Sequence, residues 1–169
     1  MAVWQVGFAL LPEHHFAADG SIPDEKLLAL VDHAVDPYEF YSLPLNYRAD
    51  VDVLLKPKKG WAEALEIWGE EKSDDFSIWR EDDGRINTID VRIDVGKLDD
   101  ALLSGLLNLA KKWLCVLVEE RYRTVCRMDL KEFRALIAGH PHSRATREPK
   151  VWLDVLVEEV KRAEEEDGK

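Results

Sequence analysis

Cysteine is scarce in this chain of 169 residues, which contains two. Cys115 and Cys126 are too far apart in sequence for a C-x-x-C metal-binding spacing. Two cysteines also cannot build the disulfide framework that is typical of small secreted domains. We therefore expect the protein to work in a reducing compartment, the cytoplasm.

Long hydrophobic runs are also lacking. The most apolar stretches, 114–118 and 151–157, are much shorter than the roughly 20 residues of a membrane-spanning helix. The N-terminus has no basic segment of the kind that opens a signal peptide, and the alternation of Trp4, Val6 and Phe8 predicts a strand there. We expect no membrane contact.

Motifs of common catalytic and nucleotide-binding classes are missing as well. The chain has no G-x-S-x-G, H-E-x-x-H, P-loop or G-x-G-x-x-G sequence. The sequence therefore identifies no catalytic residue and no cofactor, and it favours a binding protein over an enzyme.

Positive charge is deficient, with 23 lysines and arginines against 34 aspartates and glutamates and a net charge of −11. Affinity for nucleic acids depends on basic residues that displace counterions, so we expect no direct binding to DNA or RNA. Residues 1–85 carry 18 acidic and 8 basic residues, whereas 121–150 carry 3 and 8. The two regions either neutralise each other as solvated faces or present an acidic surface to a cationic partner and a basic segment to an anion.

Hydrophobic periodicity predicts a single domain over residues 1–169. The sequence predicts strands over 3–11 and 114–118, a helix capped by Ser21 and a helix over 98–113. Further expected elements are an ordered loop over 36–60 with a short helix at 49–55, a helix from Asp129 to Gly139, a helix from Pro149 and a frayed acidic tail over 164–169. A mostly antiparallel sheet with helices packed on one face, the α+β class, accommodates them.

The strongest local signal is the Asp83-Gly84 pair between two alternating runs, which predicts a β-hairpin over 76–95. On its second strand, Val91 and Ile93 are expected to face the core. A charge at Val91 should therefore unfold the protein.

Asp90, Arg92 and Asp94 share the opposite face of that strand, roughly 6–7 Å apart. We interpret them as ion pairs on a solvated face, where Arg92 bridges both carboxylates, lowers their pKa values and tolerates charge reversal. The alternative is a functional site, with recognition favoured over catalysis. Together with Glu70 or Glu71, the two aspartates could also form the metal site of a hydrolase or nuclease.

Histidines form two close pairs in the sequence, His14 with His15 and His140 with His142. If the fold brings the pairs together, their imidazoles could bind zinc or nickel. Solvated histidines in loops are the alternative. The spacing does not require metal binding, so we assign no metal ligand.

Tryptophan is abundant, with six residues. Trp4 and Trp152 fit apolar faces and are expected in the core, whereas three others lie in the most acidic segment. Aromatic anchors among charges are typical of protein interfaces, and packing beneath the 36–60 loop is the alternative. The candidate interface residues are Trp61, Trp68, Glu70, Glu71, Asp74, Asp75, Trp79, Asp90, Arg92 and Asp94.

Trp68-Gly-Glu-Glu, the Asp-Asp-Gly hairpin and the sequence Ile89–Val95 resemble a pattern in small bacterial proteins, some of which look like immunity proteins of toxin systems. The similarity covers residues 61–118. It implies a protein that binds and blocks a toxin without chemistry of its own, and it transfers no functional residues. We expect an immunity or antitoxin-like protein that binds a cationic protein partner, with a metal-dependent hydrolase and a structural subunit of a larger assembly as alternatives.

Overall fold

The computed structural model describes residues 4–121, 123–147 and 157. The strands in these residues are β1 (Gln5–Pro12), β2 (Pro57–Lys58), β3 (Leu65–Gly69), β4 (Asp75–Arg80), β5 (Ile86–Asp94), β6 (Cys115–Glu119) and β7 (Thr124–Val125). The helices are α1 (Asp24–Val31), α2 (Tyr47–Asp52), α3 (Asp100–Lys112), α4 (Leu130–Gly139) and α5 (Pro141–Arg147), with a short 3₁₀ helix at Glu13–His15. The predicted α+β class is confirmed.

Within the described residues, the strands form one antiparallel sheet in the order β2-β3-β4-β5-β1-β6-β7. The first strand is therefore inserted between β5 and β6, which are distant from it in sequence. Ala9 lies opposite Asp90 on one side and opposite Val118 on the other. This insertion decides which side chains meet on the sheet surface.

The core lies between α3, α4 and one face of the sheet. Phe8, Phe76 and Val91 occupy neighbouring positions in the middle of this face, and all three are buried. The Phe8 ring contacts Phe133 of α4 edge-on, with centroids 5.2 Å apart. The predicted inward orientation of Val91 is confirmed.

Side-chain caps begin two of the helices. Asp129 accepts a hydrogen bond from the Glu132 amide at 3.0 Å, as its capping-box sequence predicts. Asp99 does the same at α3, with the Ala101 amide as donor at 2.8 Å. The predicted cap at Ser21 is wrong, because α1 begins after Pro23 and has no side-chain cap.

The predicted hairpin is confirmed by the pairing of β4 with β5. Its loop contains Gly84 at a φ of +85°, a value that glycine adopts without steric penalty. Trp4 contradicts the prediction of a core residue: it precedes β1, is 37% exposed, and its indole donates to the Lys72 carbonyl oxygen. The predicted helix from Pro149, with Trp152, and the tail at 164–169 lie outside the described residues.

No helix in the described ranges combines the length and the apolar character that crossing a membrane requires.

Candidate functional site

The polar face of β3, β4 and β5 carries a cleft of about 570 Å³, which we call the sheet cleft. Six of the ten candidate interface residues line it: Trp61, Glu71, Asp75, Trp79, Asp90 and Arg92. Glu120, which follows β6, also lines the cleft, although the sequence analysis did not single it out.

Asp90 and Glu120 meet across β1 because that strand has small residues between them. Gly7 lies opposite Arg92 and accepts a hydrogen bond from the Glu120 amide at 3.2 Å, and Ala9 lies opposite Asp90. Neither Gly7 nor Ala9 has a side chain long enough to separate the two carboxyl groups. Asp90 and Glu120 line the same hollows, and a proton on Glu120 can be donated to the Asp90 carboxylate.

A hydrogen bond between the two carboxyls needs a proton on one of them, because a carboxylate is an acceptor without a donor. Burial, the charges of Asp90 and Glu119, and the hydrogen bond that the protonated Glu120 carboxyl donates to Asp90 raise the pKa of Glu120 to about 7. Burial also raises the pKa of Asp90, although hydrogen bonds from Thr88 and Glu120 and the charge of His33 oppose the shift. The Glu120 carboxyl therefore keeps its proton below pH 7 and loses it as the pH rises through about 7.

Arg92 pairs with Asp75 rather than with Asp90 and Asp94. Its Nε donates to Asp75 Oδ1 at 2.9 Å, and its Nη2 lies 2.6 Å from Oδ2 in an ion-pair contact without good hydrogen-bond alignment. Asp75 is 1% exposed. The predicted bridge from Arg92 to Asp90 and Asp94 is therefore wrong, because Arg92 is held by the neighbouring strand. Burial also raises the pKa of Asp90 instead of lowering it.

An aromatic wall formed by Trp61 and Trp79 borders the cleft, with ring centroids 5.1 Å apart. Trp61 is 77% exposed and follows Gly60. A Cβ at Gly60 would collide with the Leu65 carbonyl, so this glycine lets the loop fold tightly back on β3. Trp79 lies opposite Thr88, whose hydroxyl donates to Asp90 at 2.6 Å. The aromatic wall therefore lies beside the carboxyl pair.

The other four candidate interface residues lie outside the cleft. Trp68 is 3% exposed, and its indole donates to Asp52 at 2.7 Å, so a partner cannot reach it. Glu70 is exposed and pairs with Lys58 at 2.9 Å. The remaining two residues, Asp74 and Asp94, are hydrogen-bonded to each other, since Asp74 Oδ1 accepts from the Asp94 backbone amide at 2.8 Å.

The basic side chains around the cleft are largely neutralised by acidic neighbours. Lys58 is paired with Glu70 and Arg92 with Asp75, which leaves Lys59 at the exposed rim. The cleft thus offers its carboxyl pair and its aromatic wall to a ligand, and both features suit a cation.

The histidine pairs remain separate contacts within the described residues. The rings of His14 and His15 are tilted against each other, with centroids 4.1 Å apart, and the centroids of the His140 and His142 rings are 4.8 Å apart. No group of three or more His, Cys, Asp or Glu side chains in the described ranges could hold a metal ion. The carboxyl site at Asp90 is therefore assigned no metal.

The two buried cysteines do not supply a nucleophile. Burial raises the pKa of the Cys115 and Cys126 thiols to about 12, so both remain protonated and unreactive.

Replacing Glu120 by glutamine should make stability less dependent on pH. A folded-state pKa of about 7, above the ordinary value of 4.5, means that the wild type loses stability as the pH rises from about 4.5 through 7. Glu120→Gln removes that loss, so it should be more stable than the wild type at pH 8, by up to about 3 kcal/mol, and similar near pH 4.5. Urea unfolding at both pH values measures this. Glu25→Gln, an exposed control, should show the same pH dependence of stability as the wild type. If the stability of Glu120→Gln also changed with pH as in the wild type, the proton on Glu120 would be contradicted.

Compared with known proteins, the chain matches no family model, no curated protein and no solved structure. The function must therefore be argued from the sheet cleft itself.

Proposed function

We propose that this chain is an immunity or antitoxin-like protein of the cytoplasm, which binds and blocks a cationic protein partner such as a toxin through the sheet cleft. The observation that carries the proposal is the exposed Trp61 ring, packed against Trp79 beside the carboxyl pair of Asp90 and Glu120. Exposed aromatic anchors next to charged groups are the residues that dominate binding energy at protein interfaces.

The charge distribution supports the same proposal. The net charge is −11, and the first 85 residues hold most of the excess acid. Such a field attracts a basic partner and increases its association rate. The resemblance of residues 61–118 to immunity proteins suggests a toxin as the partner.

Salt should slow association with the partner. The partner is captured from source cells on the immobilised protein, identified by mass spectrometry and purified. Its association rate should fall at least about tenfold between 0.1 M and 1 M salt, because the Debye length falls from about 10 Å to about 3 Å. An acidic partner, or a rate that salt does not change, would contradict the proposal.

Truncating the aromatic anchor should weaken the complex. Trp61→Ala should raise the Kd by about tenfold or more, the usual effect at a central aromatic contact. Phe40→Ala is the matched control, because Phe40 is 84% exposed and does not line the cleft. Surface plasmon resonance measures both variants, and equal effects would place the interface elsewhere.

A further inference from the structure

Asp90 and Glu120 border a second hollow of about 310 Å³, which lies next to α1. Both carboxyls therefore lie where two hollows of the sheet surface meet, and a ligand in the sheet cleft can reach them. The aromatic wall continues the site on the other side, since Trp79 lies opposite Thr88 and Thr88 is bonded to Asp90.

We propose that the sheet cleft binds the guanidinium group of an arginine side chain of the partner, between the Trp61–Trp79 wall and the Asp90–Glu120 pair, and that this binding displaces the shared proton. This inference rests on the proposed function and names the chemical group that the cleft recognises. It also makes binding of the partner dependent on pH.

A guanidinium group fits the site in two respects. Its planar face stacks on tryptophan, where the attraction between cation and ring is strongest. Its N–H groups donate to carboxylate oxygens in a fixed fork. In the complex these N–H groups replace the proton that Glu120 donates to Asp90 in the unbound protein. Arg92 does not already occupy this position, because it is held by Asp75.

Other charged groups surround Asp90 and Glu120 and also act on the pH dependence of binding. Arg92 and Glu119 act on it from β5 and β6, and His33 acts on Asp90 from the loop after α1. Glu71, Asp75, Lys58 and Lys59 complete the charged lining of the cleft. His33 is the one histidine among these groups, so a His33→Gln variant shows whether the pH dependence persists without it.

The experiment uses two capped tripeptides, Ac-Gly-Arg-Gly-NH2 and its neutral isostere with citrulline. Binding to the full chain is followed by NMR through the indole N–H signals of Trp61 and Trp79. The arginine peptide should bind at least about tenfold more tightly than the citrulline peptide, because citrulline lacks the charge. It should also bind about tenfold more weakly at pH 5.5 than at pH 8 in the wild type and in His33→Gln.

Calorimetry in two buffers of different ionisation enthalpy measures the proton directly. At pH 7 the wild type should release about half a proton per bound arginine peptide, and Glu120→Gln should release none. Equal binding of the two peptides, tighter binding of a glutamate peptide, or proton release that persists in Glu120→Gln would overturn the inference.

Failure of the inference is distinguishable from failure of the proposed function. If Asp90→Asn/Glu120→Gln still binds the purified partner with wild-type affinity and salt dependence, the arginine site is wrong and the function stands. If the purified partner does not bind through the cleft face at all, both proposals fail.

Discussion

Replacing Arg92 by alanine should destabilise the protein by about 3 kcal/mol, the lower end of the cost of leaving one partner of a buried ion pair alone, because the Arg92 side chain is 30% exposed. The buried Asp75 carboxyl receives two contacts from Arg92, at 2.9 and 2.6 Å. Burial raises the pKa of Asp75, and the hydrogen bond from Arg92 opposes that rise. Charge reversal by Arg92→Asp should cost more, because it places a second carboxylate beside the first.

A double-mutant cycle tests whether the ion pair is the cause. Urea unfolding of Arg92→Ala, Asp75→Ala and the combined variant should give non-additive losses, with the combined variant more stable than additivity predicts. Arg85→Ala should hardly change stability, because its salt bridges to Asp83 and Asp36 are exposed. If Arg92→Ala unfolded at the same urea concentration as the wild type, the prediction would be contradicted, and water would have replaced the guanidinium at Asp75.

Local sequence signals predicted the parts of the fold that depend on near neighbours. The Asp83-Gly84 hairpin and the Asp129 cap are confirmed, because a turn or a cap is decided within a few residues. The Ser21 cap was wrong because α1 begins at Asp24, so that Pro23 and not Ser21 occupies the N-cap position. The prediction of Trp4 as a core residue was wrong because the alternation of apolar and polar residues does not reveal where the sheet ends.

The candidate site was predicted only in part, because it depends on strand order. Asp90 and Arg92 were identified, yet their partners, Glu120 and Asp75, are set by β1 and β4, which lie on either side of β5. No spacing within one segment contains that information. The detectable signal was the pair of small residues Gly7 and Ala9 on one face of β1, since a missing or short side chain marks a position where neighbours approach closely.

Val91→Asp should unfold the protein. Val91 is 1% exposed and lies between Phe8 and Phe76, which occupy the opposing positions on β1 and β4. A carboxylate there would have apolar neighbours and no partner, at a cost of several kcal/mol. A domain whose total stability is about 5–15 kcal/mol has little margin against such a loss.

Val53→Asp is the control, because it introduces the same carboxylate at an exposed position instead of in the core. Val53 is 81% exposed at the end of α2, so the same change there should cost less than about 1 kcal/mol. Circular dichroism and thermal melts of both variants give the comparison. A Val91→Asp protein with a native spectrum and melting temperature would mean that the faces of β5 are reversed. Asp90 and Arg92 would then face the core, and a sheet cleft lined by them could not exist.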